Sequence, residues 1–273
     1  MIEGRGRRQS HLTIPLTGAL GLLIVGTAAL AARCWLERRR HEVVERALHN
    51  TNVELESFSY SVSHDLRAPL RSIDGFSQAL VEDAGPLLDE ESRRHLERIR
   101  GAARRMGLLI DDLLTLSKVT RAEMKRERVD VTEIATQIAA ELARLTPTRA
   151  VAVTVAPELT ATGDAQLVRL ALQNLIENAW KFTSRRSQAS IEVGPTKDGD
   201  GAPAFYVRDN GAGYDPNFAT KLFGPFQRLH PASDFPGSGI GLATVKRIVH
   251  RHGGHVWAEG KIDTGACFYF TLS

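Results

Sequence analysis

The sequence predicts a multi-domain chain: a transmembrane helix, a dimeric helical hairpin that closes a four-helix bundle, and a C-terminal α/β sandwich. Three observations carry this. Ile14 to Ala32 holds no charged residue and no polar one except Thr17 and Thr27. Apolar residues then recur at alternating spacings of three and four as far as residue 117. From residue 128 the pattern changes to short strands, single helices and glycine-rich loops.

Residues 1–13 form an N-terminal tail, and residues 14–32 match the ~20 apolar residues that cross a bilayer core. Gly18, Gly21 and Gly26 suit close helix pairing in lipid. The run is long for a cleavable signal peptide, and an amphipathic helix continues straight out of it, so an uncleaved anchor is expected. Five arginines follow the span and three precede it, a bias that places the C-terminal part in the cytoplasm.

A coiled-coil linker is expected over residues 33–55. Val44, Leu48, Thr51, Leu55, Phe58 and Val62 form a heptad seam, which continues through Leu66, Pro69, Ile73, Phe76 and Leu80. Gly85-Pro86 breaks it, Asp89 is placed to cap a second helix, and Leu96, Ile99, Ala103, Met106, Ile110, Leu113 and Ser117 repeat it. Residues 56–122 therefore read as a hairpin that pairs with a second copy. Over residues 128–273, strands are expected at 128–131, 150–155, 189–193, 204–207, 255–259 and 266–272, with helices at 132–145, 164–182 and 240–252.

The net charge of +3 is local. Residues 1–50 hold eight arginines and four glutamates, and the other 223 residues sum to −1. Basicity flanking an apolar span suits anionic lipid headgroups and argues against direct contact with nucleic acid. Cys34 and Cys267 form no metal or disulfide pattern.

His64 lies two residues past the seam position Val62, so a helix turns it roughly 200° away from the packed side. Asp65 beside it can take a proton from one ring nitrogen and leave the other as nucleophile. Pro69, one turn on, costs a helix interior about 3 kcal/mol and marks a segment built to bend.

His64-Asp65-Leu66-Arg67-Ala68-Pro69-Leu70 resembles the H box of the sensor histidine kinases of two-component systems. Four further boxes follow in that family's order. Residues 173–183, QNLIENAWKFT, resemble the N box, and Asp209-Asn210-Gly211-Ala212-Gly213 the G1 box. Leu222 to Arg228 resembles the F box, and Gly237-Ser238-Gly239-Ile240-Gly241-Leu242 the G2 box. The resemblance covers about residues 50–273 and implies a HisKA-type dimerisation domain followed by an ATP-binding domain of the histidine-kinase and chaperone-ATPase type.

The resemblance implies a protein-histidine kinase with ATP as substrate and Mg²⁺ as cofactor. His64 becomes the phosphoacceptor and Asp65 its general base. Asn174 and Asn178 share a helix face, with Asn178 as the Mg²⁺ ligand and Lys181 neutralising phosphate. Asp209 would accept from the adenine amino group, with Gly211 and Gly213 letting the base approach. Gly237, Gly239, Gly241 and Leu242 open the next helix as an anion site for the triphosphate. Residues 228–236 would form a mobile lid anchored by Phe223 and Phe226, with Arg228 reaching the γ-phosphate.

The implied partners are a response regulator with an acceptor aspartate, a second copy of the chain, and the inner membrane of a bacterium, crossed once with the kinase domains cytoplasmic. The signal could enter through the membrane, a receptor partner, or a region before residue 1. Family members that dephosphorylate their regulator carry Thr or Asn four residues after the histidine. Ala68 stands there, so weak phosphatase activity is expected. The alternative is an ATPase or scaffold on the same ATP-binding fold without phosphotransfer, from which residues 57–70 distinguish this chain.

Overall fold

A computed structural model describes residues 65–121, 123–231 and 234–272, with Arg33, Trp35, Arg39, Ser61 and Ser63. The expected span 14–32, most of the expected linker 33–55 and His64 lie outside the described residues. Among the described residues, no helix is long and apolar enough to cross a membrane. The chain divides into two compact units, 1–58 and 59–273. In the first, Arg33, Trp35 and Arg39 are helical, and the Arg39 guanidinium lies 4.6 Å from the centre of the Trp35 ring.

The second unit opens with α1 (65–84), which runs unbroken through Pro69. A 3-10 turn, Gly85–Leu87, reverses the chain into α2 (Glu90–Arg121). Asp89 caps α2 as expected, its Oδ1 accepting from the Ser92 amide at 2.8 Å. Inside the hairpin, Leu70 packs against Ala103, Ile110 and Leu114. Two charge contacts flank that patch: Arg67 with Asp111 at 2.6 Å, and Asp74 between Arg100 and Arg104 at 3.2 Å each. The seam residues Leu66, Ile73, Phe76, Leu80, Ile99 and Met106 stay exposed in a single copy.

The C-terminal domain begins with β1 (Glu127–Asp130), α3 (Val131–Leu145) and β2 (Val151–Val155). Then follow β3 (Thr160–Gly163), α4 (Ala165–Phe182), β4 (Ala189–Lys197) and β5 (Pro203–Asp209). A 3-10 turn (Pro216–Lys221), α5 (Gly241–Arg251), β6 (Val256–Lys261) and β7 (Gly265–Phe270) complete it. The main sheet has the order β2-β4-β5-β7-β6, with β2 and β4 parallel and the other neighbours antiparallel. β1 and β3 form a separate antiparallel pair. Helix α4 lies over β4 and β5, with α3 and α5 at its sides.

Alternation along β5 turns Phe205, Val207 and Asp209 into the interior and leaves Arg208 exposed on the other face. Leu172 and Ile176 of α4 and Val249 of α5 meet that inner face with no exposed surface. Strand β3 is the one strand the sequence pattern did not announce. It is four residues long and pairs only with the four-residue β1, so no alternating core pattern marks it. The hairpin docks on the domain through Val119, which packs with Leu167, Ala171 and Ile248. The Lys125 amide also donates to Asp164 Oδ2 at 3.0 Å.

Candidate nucleotide site

Helix α4, β5 and the loop before α5 converge on a cavity of about 470 Å³. Its wall includes Asn174, Asn178 and Lys181 from α4, Asp209 at the end of β5 and Gly213 beyond it, and Arg228, Gly237, Gly239, Gly241 and Leu242 from the F and G2 segments. Residues that lie up to 68 positions apart in sequence thus share one space, because α4 crosses the sheet where β5 ends.

At one end of the wall the groups are polar and cationic. Asn174 spends its amide N–H on the Leu170 carbonyl at 2.8 Å. Its Oδ1 presses against Gly241, where a Cβ would stand 2.6 Å away, so only glycine admits this approach. Asn178 Oδ1 accepts from Lys181 Nζ at 3.0 Å. Burial pushes the Lys181 ammonium down to about 8, and the positive charge of Arg228 adds to that. Arg228 lines the cavity, but its guanidinium is held by the lid itself, donating to the Phe235 carbonyl at 2.8 Å and to the Gly237 carbonyl.

At the other end Asp209 is buried, and its Oδ1 accepts from the Gly211 amide at 2.8 Å. Burial pushes the carboxyl up to about 6, while the Gly211 and Ala266 amides and Arg186 pull the other way. Gly213 sits at φ 63°, and a Cβ there would collide with the Lys261 carbonyl. A left-handed glycine lets the G1 loop lie flat on β6.

The lid segment packs inward. Phe235 is buried, with its ring centre 5.0 Å from that of Phe182 and 5.2 Å from His230. His230 Nε2 donates to the Gly213 carbonyl at 2.8 Å, and Arg185 pairs with Asp234 at 3.0 Å. Two expected residues stand elsewhere. Phe223 packs edge-on to Phe268 at 6.4 Å, behind the wall. Phe226 is 58% exposed at φ 60°, so it does not anchor the lid by burial; Phe235 holds that place instead. The backbone there is crowded: a Cβ at Gly239 would stand 2.8 Å from the Gln227 carbonyl oxygen and 3.0 Å from the Phe226 carbonyl carbon.

The sequence pattern missed several wall residues. Tyr214 follows Gly213 directly and was within reach of the G1 motif. Leu108 and Asp112 come from α2, and nothing in their local sequence links them to the cavity. The fit to a divalent cation rests on amide oxygens, since among the described residues no three His, Cys, Asp or Glu side chains converge. Asn178 Oδ1, which faces a cation already, is a suitable hard oxygen donor.

Residues 54–122 match the family model for the His Kinase A (phospho-acceptor) domain, and residues 163–273 that for the histidine kinase-, DNA gyrase B-, and HSP90-like ATPase. The chain is 38% identical over 245 residues to the methanogenesis regulatory histidine kinase FilI of Methanothrix harundinacea, an alignment covering 88% of this chain and 27% of FilI. It is 35% identical over 227 residues to cyanobacterial phytochrome B of Nostoc sp., covering 82% and 30%. The structure of full-length ShkA in complex with AMPPNP superposes with a TM-score of 0.56 at 26% identity, covering 78% of this chain and 44% of ShkA. The chain thus spans less than a third of the length of these two curated relatives.

Proposed function

The chain belongs to the sensor histidine kinases of two-component systems, and we propose that it phosphorylates its own His64 from ATP and passes the phosphoryl group to an aspartate of a response regulator. The observation that carries this reading is the single cavity gathering the N, G1 and G2 residues beside the phospho-acceptor hairpin.

Asp209 accepts from the adenine amino group, and Gly211 and Gly213 leave room for the ring. The amides of Gly237, Gly239 and Gly241 and the first turn of α5 receive the phosphates, with Leu242 closing the wall behind them. Asn174 holds the G2 loop in place through its contact with Gly241. Mg²⁺ held by Asn178 would neutralise charge on the phosphates. Lys181 offers its ammonium to the same groups once the ligand draws it from Asn178. Arg228 turns from its carbonyl partners to the γ-phosphate when the lid closes on nucleotide.

One ring nitrogen of neutral His64 attacks the γ-phosphorus as the bond to the β–γ bridging oxygen breaks and ADP leaves. Asp65, in an exposed position on α1, holds the proton of the other ring nitrogen. A regulator carboxylate then takes the phosphoryl group and His64 returns to neutral. The exposed seam led by Phe76 supports pairing with a second copy. Residues 14–32 support a single span of a bacterial inner membrane with the catalytic part cytoplasmic.

Incubation with γ-labelled ATP tests the core of this reading. Acid-labile, alkali-stable label that disappears in His64→Gln is the expected result; label that survives the change refutes it. Ala68, exposed on α1, supports weak phosphatase activity. Added kinase with ADP should leave the lifetime of a phospho-regulator nearly unchanged, and Ala68→Thr should shorten it.

A further inference from the structure

We propose that Asp112, supplied by the hairpin and not by the nucleotide domain, makes the cavity select metal-bound over metal-free nucleotide. This rests on the nucleotide-site reading above and assigns the site a residue outside its motifs.

Asp112 and Leu108 lie four apart on α2, so they share one helix face, and both line the cavity. The register is set from the far end. Val119, seven residues on, packs against Leu167 and Ala171 of α4. Helix α2 packs mainly on α5, with Val119 against Ile248, and Asp112 and Leu108 line the cavity together with Gly241 and Leu242 at the start of α5. Asp112 thus shares the cavity wall with Asn174, Glu177, Asn178 and Lys181. Its neighbour Asp111 is taken up instead by Arg67 of α1 at 2.6 Å, on an exposed side of the hairpin. Asp112 has no ion-pair partner among the described residues.

A fixed negative charge at this place acts on whatever net charge the phosphates bring. Metal-free ATP carries roughly two more negative charges than its magnesium complex. The carboxylate disfavours the first form more than the second, whether by repelling bare phosphate or by accepting from the metal's bound water. Both routes have the same sign. In a partly screened cavity, two charges acting at about 8 Å shift an equilibrium on the order of tenfold. The consequence is a link between docking and ligand: the hairpin contributes its charge only while α2 lies against α5 and the start of α4.

The test measures nucleotide affinity, not turnover. The full chain carrying His64→Gln is titrated with AMPPNP in excess Mg²⁺ and again in EDTA. Asp112→Asn should reduce the ratio of the two affinities on the order of tenfold at low salt, and less at 0.5 M salt. Asp111→Asn, the same change one residue away, should leave the ratio intact, as should Leu108→Ala, which alters packing without charge. An unchanged ratio in Asp112→Asn overturns the proposal, and so does an equal fall in Asp111→Asn. Failure of the parent chain to bind either form would instead refute the nucleotide site itself.

Discussion

The C-terminal domain closes its own core, with Leu172, Ile176, Val207 and Val249 fully out of water, whereas the hairpin buries a cluster of four apolar side chains and leaves Phe76 74% exposed. The difference follows from geometry. A five-stranded sheet with α4 laid across it presents two facing apolar layers from one chain. Two helices present each other only a narrow stripe, and the rest of their apolar surface needs another pair. The domain's core is closed within one chain; the hairpin's seam is not, and the pairing with a second copy proposed above would make its stability depend on concentration.

The largest expected effect lies on that unpaired face. Phe76→Asp removes a large apolar side chain from each of two copies, worth about 1.5–3 kcal/mol apiece. The dimer dissociation constant, read by sedimentation across concentrations, should rise more than 100-fold at the low end of this range. The thermal midpoint of the C-terminal domain should hold. An unchanged dimer would mean that the copies meet elsewhere and that Phe76 is surface.

Gly213→Val makes the opposite break. It forces a β-branched residue into a left-handed conformation and a Cβ into the Lys261 carbonyl. The expected loss is about 3 kcal/mol of domain stability, combining backbone strain with overpacking. Dimer mass should survive. Loss of both together would show that the hairpin leans on the domain through Val119 more than its own contacts suggest.

Protonation separates the two regions more gently, because the strongly shifted carboxylate and ammonium both sit in the domain's cavity. On the reading proposed above, Asp209, pushed up to about 6 by burial, accepts from adenine more strongly as a carboxylate. Binding should therefore weaken as pH falls through 6, about tenfold per unit below it. Lys181, pushed down to about 8 mainly by burial, must be charged to meet phosphate, so binding should weaken as pH rises through 8. Phosphate contact will raise the lysine in the complex, so the loss begins near 8 and continues up to that raised value. Calorimetry on His64→Gln from pH 5 to 9 should give a maximum between the limbs, with Asp209→Asn removing the acid one. A flat profile would deny both groups a place at the ligand.

Legibility in sequence followed the same divide. The boxes spelled out Asn174, Asn178, Lys181, Asp209 and the glycines because each motif is a local solution to a local problem, and the structure brings all of them to one wall except Gly211, which packs against the Phe182 carbonyl instead. Residues contributed by distant packing were invisible: Leu108 and Asp112 on α2, and His230 and Phe235 folded back by the lid. Phe226 misled because an aromatic in a motif reads as buried, whereas its left-handed turn faces water. In the hairpin the heptad spacing located the helices and the Asp89 cap, and it equally marked residues that one copy cannot bury.

The smallest expected effect sits where the domain's closure is imperfect. Tyr214 is 4% exposed, and its hydroxyl finds no hydrogen-bond partner among the described residues. Burial, with Glu259 and Cys267 nearby, pushes the phenol up to about 12, so it stays protonated and keeps a donor to satisfy. A buried hydroxyl left unpaired costs about 1–3 kcal/mol. Tyr214→Phe keeps the ring that packs over Gly260 and discards the orphan group. Part of the gain is lost to the void left by one oxygen, so the net stabilisation should be about 1 kcal/mol by chemical denaturation. The slope of unfolding should not change, since the same surface is exposed. A loss of stability would mean that the hydroxyl holds a buried water, and the domain's closure would then be wetter at Tyr214 than its apolar neighbours suggest.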